Sequence, residues 1–88
     1  MIAVFTGTGL STEVILLKSQ YNVSIINISG GTVQLQRRFN DTDTWGVVKE
    51  YTEDAEDILE VGGGPGQPVQ HRFECTVYGT GPITYKLV

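Results

Sequence analysis

His71 and Cys75 are the chain's only imidazole and only thiol, and as a base and a nucleophile they are the sharpest chemical pair in its 88 residues. A nucleophilic thiol needs its base within hydrogen-bond reach. Four residues of extended strand separate two side chains by roughly 13 Å, so the spacing predicts a buried structural thiol and a core or rim histidine. With no second histidine, a zinc set cannot be completed within one chain, and a lone cysteine leaves no internal disulfide. The run Gly62-Gly63-Gly64-Pro65-Gly66 invites a phosphate-cradle reading, but it lacks the Lys-Ser/Thr ending and leads into a strand pattern instead of a helix N-terminus. A solvent-facing loop over Gly62 to Pro68 is expected. The acids Asp41, Asp43, Glu53, Asp54, Glu56 and Asp57 lack the ligand spacing of a calcium loop and read as a solvated face. Neither a catalytic constellation nor a cofactor or metal site is expected, so the chain reads as a binding or structural protein and not an enzyme.

One segment stands above this background: Arg37-Arg38-Phe39-Asn40-Asp41-Thr42-Asp43-Thr44-Trp45. Asn, Asp and Thr side chains can hydrogen-bond the backbone of a turn, so two strands are expected to meet here, with Trp45 opening the return strand. The arrangement resembles a single Asp-box hairpin with Asp43 in place of the usual Gly, and an Asp-box is a structural lock. Arginine is enriched at interface hot spots, which makes Arg37 and Arg38, with Trp45, the candidate partner-binding residues. Trp45 itself is expected in the core more than as a ligand platform.

The elements that must carry these residues follow from period and punctuation. Turn signals at Gly7 to Gly9, Gly30-Gly31, Asn40 to Asp43, Gly62 to Pro68 and Gly79 to Pro82 separate short runs rich in Val, Ile, Thr, Tyr and Phe. That is the pattern of an antiparallel all-β sandwich, here of about seven or eight short strands. Val69, His71, Phe73, Cys75 and Val77 share one strand face, with Gln70, Arg72, Glu74 and Thr76 on the other. Thr32 to Phe39 alternates likewise, with Arg37 as the exception on the apolar side, expected at the rim or paired with a carboxylate. Trp45, Val47, Lys49 and Tyr51 make one further strand face, and Ile83, Tyr85 and Leu87 a terminal strand. The near-continuous runs Val14 to Leu17 and Val23 to Ile28 are expected to be buried on both sides. Glu50 to Glu60 holds six of the ten acids and fits neither period, so a short strand and one helical turn are equally defensible.

Length and composition bound the rest. A chain of this size is expected to form a single domain over residues 1–88 and to hide only about 60 to 65% of its unfolded surface. Docking on a copy of itself or on a larger assembly would therefore add substantially to its stability. Six basic and ten acidic residues give a formal charge of −4, the opposite of a phosphate-tracking protein. No nucleic-acid partner is expected. Neither a signal peptide nor a membrane span is legible at Met1-Ile2-Ala3-Val4-Phe5, which predicts cytoplasmic synthesis. The apolar Met1 to Thr6 and Ile83 to Val88 segments carry Lys86 as their only charged side chain, so as edges they would be unguarded. Pairing with each other, with a neighbouring subunit or with a larger shell is the expected resolution, and a homo-oligomer or many copies on a symmetric shell is the expected assembly.

Gly31-Thr32-Val33-Gln34-Leu35-Gln36-Arg37-Arg38-Phe39, the Asp-bearing turn and Thr44-Trp45, followed by Arg72-Phe73, Gly79 to Gly81 and Tyr85-Lys86-Leu87, resemble the small β-sandwich accessory proteins of tailed-bacteriophage virions. The resemblance covers Gly31 to Tyr51 best and Arg72 to Leu87 more loosely. It implies a virion location after synthesis in the host cytoplasm, the major capsid protein or other virion proteins as partners, and a role in decorating or cementing the capsid. A phage tail or receptor-binding module is an alternative. So is a carbohydrate-binding domain that stacks exposed Trp45, Tyr51 or Tyr78 on sugar rings.

Overall fold

The computed structural model describes residues 1–16, 20–60 and 68–88. Those residues form nine strands and no helix: β1 (Ile2–Phe5), β2 (Gly9–Leu10), β3 (Val14–Leu16), β4 (Gln20–Ile26), β5 (Thr32–Arg38), β6 (Gly46–Tyr51), β7 (Ala55–Glu60), β8 (Val69–Val77) and β9 (Ile83–Leu87). They build two antiparallel sheets, a four-stranded one ordered β1-β9-β4-β7 and a five-stranded one ordered β2-β8-β5-β6 with β3 also on β8. The all-β sandwich expected from the period-2 faces is therefore the fold. The expected glycine-rich loop lies outside the described residues except for Pro68, and so does Leu17.

The core follows from the alternation. Val33 and Leu35 of β5 and Val69, His71, Phe73 and Cys75 of β8 point inward against Val23 and Ile25 of β4 and Ile83, Tyr85 and Leu87 of β9. Tyr85 ties the sheets together, its ring centroid 4.6 Å from that of Phe5 and 5.1 Å from that of Phe73. At one end the chain turns through Asn27, whose φ of 67° is left-handed and whose Nδ2 donates to the Pro82 carbonyl at 2.9 Å. Gly79 is required beside that turn, because a Cβ there would fall 1.8 Å from the Ser29 carbonyl oxygen.

Along the free side of β8, β2 and β3 act as one interrupted strand. Ser11 fills the break: its backbone N–H donates to the Phe73 carbonyl at 2.8 Å, while its hydroxyl oxygen accepts from the Phe73 N–H at 2.8 Å. The ladder stays satisfied although Thr12 and Glu13 bulge out of it.

Two expectations are corrected and two open readings are decided. The Val14 to Leu17 and Val23 to Ile28 runs are not buried on both sides, since Ile15 and Ile26 face outward and are exposed. Each sheet of a two-layer sandwich buries only one face. Glu50 to Glu60 contains no helical turn; Ala55–Glu60 is strand β7, paired with β4 from Gln20↔Glu60 to Ile25↔Ala55. Trp45, Val47, Lys49 and Tyr51 do not share a face, because the β5–β6 register shifts between Leu35 and Gln36. The extra residue leaves Val47 opposite outward-facing Gln36 and Tyr51 opposite buried Val33. Finally, Ile83 to Val88 is no edge: β9 lies between β1 and β4, and the two terminal strands pair with each other.

Candidate functional site

The segment singled out in the sequence closes β5 onto β6. Asn40 organises the turn as expected, its Oδ1 accepting from the Thr42 N–H at 3.0 Å and the Thr42 hydroxyl at 2.6 Å. The Asp43 N–H donates to the Asn40 carbonyl at 3.1 Å. This rigid turn delivers the three candidate residues to different places.

Arg38 points outward and is fully engaged. Its Nε donates to Gln70 Oε1 at 2.6 Å and its Nη1 to the Asp41 carbonyl at 3.3 Å, with Glu13 from the β2–β3 bulge at 3.7 Å. Trp45 is not in the core: it is half-buried on the outward face, with the guanidinium carbons of Arg38 and Arg72 at 4.5 and 4.3 Å from its ring centroid. The register shift in β6 puts it there. Arg72 in turn donates to Gln36 Oε1 at 2.7 Å, and Gln36 Nε2 donates to Glu74 at 2.8 Å and Gln34 at 3.1 Å. Gln34 continues the web to Glu50 at 3.0 Å. The Arg38–Trp45 pair thus belongs to a cross-strand network that seals the face.

Arg37 behaves differently. It alternates onto the inward side opposite Gly46 and His71, where Gly46 offers no side chain to cover it. Its guanidinium carbon lies 5.5 Å from the Phe39 ring centroid. Among the described residues, which include every Asp and Glu, no carboxylate pairs with it. Of the two expected outcomes, the rim position holds, next to the end of β5, and carboxylate pairing is not found among the described residues. Phe39, expected on the apolar face, lies beyond the end of β5 and is 51% exposed. Arg37, Arg38, Phe39, Asp43, Thr44 and the Gly46–Val48 end of β6 line an open cavity of about 510 Å³.

The residues with catalytic potential lie elsewhere. His71 is fully buried, its Nδ1 against the Val69 carbonyl at 3.3 Å and its Nε2 without a partner among the described residues. Desolvation, with a smaller contribution from the nearby Arg37 charge, lowers its pKa and keeps it neutral. Cys75 is buried with its thiol directed at the Val77 carbonyl, 3.2 Å away, and burial raises its pKa. A neutral buried imidazole and a protonated thiol engaged with separate carbonyls do not make a nucleophilic pair. Tyr51, considered as a sugar-stacking ring, is buried, and its hydroxyl donates to Asp57 at 3.0 Å. Asp57 also accepts from Lys49 at 2.8 Å, and this Lys49 contact is the main cause of its lowered pKa. The acids Asp54 and Asp57 are thus structural: Asp54 accepts from the Ile28 N–H at 2.8 Å. Among the described residues, no group of three His, Cys, Asp or Glu side chains is placed to hold a metal, and no helix is long and apolar enough to cross a membrane.

Of the two terminal segments that the sequence marks as unguarded, Met1 to Thr6 is the one the topology leaves open, as the edge strand β1. Among the described residues β1 pairs only with β9, and its outward side chains Ile2 and Val4 are exposed, Ile2 by 65%. The other edges carry recognisable guards. β7 carries Glu56, Asp57 and Glu60; β6 carries Lys49, Glu50 and a register shift; the β2–β3 side is broken by the Glu13 bulge. No protein-family model, curated protein or solved structure matches this chain.

Proposed function

We propose that this chain is a non-enzymatic accessory protein of a tailed-bacteriophage virion, docking in many copies to decorate or cement the capsid. The observation that carries the docking part of this reading is the β1 edge, which bears no charged side chain and among the described residues is paired on one side only. A strand with free N–H and C=O groups and apolar side chains is a template for pairing with another chain. On a repeated lattice, each weak contact of this kind is multiplied by valency. The virion assignment rests on the resemblance of Gly31 to Tyr51 and Arg72 to Leu87 to such accessory proteins. No observation favours the sugar-binding alternative through its three rings, since Tyr51 is buried, Trp45 lies against two guanidinium groups and Tyr78 is partly buried against the core.

Analytical ultracentrifugation of the free chain, followed by co-sedimentation with phage heads and tails, tests the reading. The expected outcome is self-association or co-sedimentation with heads, lost in Val4→Lys while the thermal midpoint stays within a few degrees of wild type. Co-sedimentation with tails alone would move the assignment to the tail module. A stable monomer that follows neither particle would overturn the proposal.

A further inference from the structure

Of the three arginines at the hairpin end, two are consumed internally and one is not, among the described residues. Arg38 is held by Gln70, Asp41 and Trp45, and Arg72 by Gln36 and Trp45. Arg37 makes no side-chain hydrogen bond or ion pair among the described residues; its guanidinium lies over the Phe39 ring, and it lines the cavity at the start of β6. A half-buried guanidinium with its donors unused is matched by a carboxylate, which it can hold bidentately.

The walls narrow the ligand further. Gly46, Val47 and Val48 line the same cavity and form the uncharged end of β6, an edge strand whose second side is unpaired among the described residues. Exposed Val47 and Phe39 supply apolar surface on either side of the Thr44 hydroxyl. An extended peptide uses all three features at once: its backbone adds to the β6 edge, its apolar side chains meet Val47 and Phe39, and one acidic side chain reaches Arg37. Asp43 also lines the cavity, which disfavours a run of acids and suits a single one.

We propose that the cavity between the β5–β6 turn and the β6 edge binds an extended peptide segment of a partner protein carrying one Glu or Asp, with Arg37 as the carboxylate anchor. The docking edge at β1 belongs to the opposite side of the four-stranded sheet from β7, which Lys49 of β6 contacts through Asp57. The two sites are therefore separable by mutation.

The test titrates the full isotope-labelled chain with an acetylated, amidated pentapeptide, Val-Thr-Glu-Val-Thr, following backbone amide signals. Saturable shifts at Gly46, Val47 and Val48 are expected, and exchanging the peptide's Glu for Gln should weaken binding about tenfold, equivalent to ~1.4 kcal/mol. Arg37→Gln should produce the same loss, Arg37→Lys should recover part of it, and Val4→Lys should change nothing. If Arg37→Gln does not fold, the Glu-to-Gln exchange in the peptide still decides the question on the wild-type chain. Absence of saturable shifts, or equal binding of the two peptides, would overturn the proposal. So would sodium glucuronate binding as tightly as the peptide without shifting the β6 amides, which would assign the cavity to an acidic sugar. Loss of head binding in Val4→Lys with peptide binding intact would leave both readings standing on their separate sites.

Discussion

The two outward faces of the sandwich solve the same problem in opposite ways. On the five-stranded sheet, Gln34, Gln36 and Arg38 lie opposite Glu74, Arg72 and Gln70 in register, and their hydrogen bonds run on to Glu50 and Asp41. Gln36 is only 5% exposed on a face with no layer above it. Its neighbours and Trp45 supply the cover. On the four-stranded sheet the outward rows are Ile2–Lys86–Ser24–Glu56, Val4–Thr84–Ile26 and Asn22–Ile58. Short β-branched and hydroxyl side chains dominate there; the hydrogen-bonded pairs are Ser24–Glu56 and Gln20–Glu60, both at the β4–β7 side. Long polar side chains that interlock can close a sheet by themselves, whereas short ones leave it available. The first face is closed by its own side chains, and the second leaves Ile2, Val4, Ile26 and Ile58 exposed.

The most severe way to break the comparison is from beneath, through the core both faces share. Phe73→Ala removes the ring that Tyr85 packs against and should cost ~3–5 kcal/mol, a large part of the stability of a domain this small. Chemical denaturation would show both faces failing together; a loss confined to the five-stranded sheet would mean that the layers are less coupled than Tyr85 implies. Next comes the web itself. Gln36→Ala leaves Arg72 and Glu74 short of a partner and should cost ~1–3 kcal/mol. A cost below about 0.5 kcal/mol would reduce the web to a surface ornament.

Acid sharpens the contrast in a third way. The folded state lowers the His71 pKa below 6.5, so the unfolded chain binds the proton first and stability falls as pH drops below that value. Asp54 and Asp57, whose pKa values are also lowered, contribute stability above the ordinary carboxylate range and lose it only in a second, more acidic step. Thermal midpoints between pH 8 and 3 should therefore show two limbs, with the upper one missing in His71→Leu. An upper limb that persists in that variant would assign it to another group. The smallest effect is reserved for the open face: Ile58→Thr should change stability by less than about 0.5 kcal/mol. A larger loss would show that Ile58 is already covered in the free protein, as self-association through that face would require.

Much of this was legible in the sequence because period 2 was clean where it mattered. Val69 to Cys75 and Thr32 to Arg38 have the faces their alternation announced, whereas Val77, expected on the core face with Cys75, is exposed because the β5–β8 register shifts between Thr32 and Val33; Asn40 makes the turn its chemistry suits. Arg37 as an exception on the apolar side was visible as well. What stayed hidden depends on register and topology. Lys49 and Asp57 both sit on inward positions and satisfy one another there, so each looks misplaced when its strand is considered alone. Trp45 reads as core by size, and only the extra residue in β6 sends it to the outside. Both terminal segments were legible as unguarded, but that β1 and not β9 takes the edge depends on which strand covers β9, and local pattern carries no record of that.

Cys75, sealed in the middle of β8 between β5 and the two-residue strand β2, gives the molecule an internal clock. A thiol held protonated and out of water reacts with a disulfide reagent only during the moments when its surroundings come apart. Its nearest cover on one side is the pair Gly9–Leu10, so labelling kinetics would time the fraying of β2 separately from global unfolding. A rate that tracks global stability across variants would mean that those two residues detach only with everything else. A faster, variant-independent rate would mark the β2 end as the first part of the sandwich to breathe.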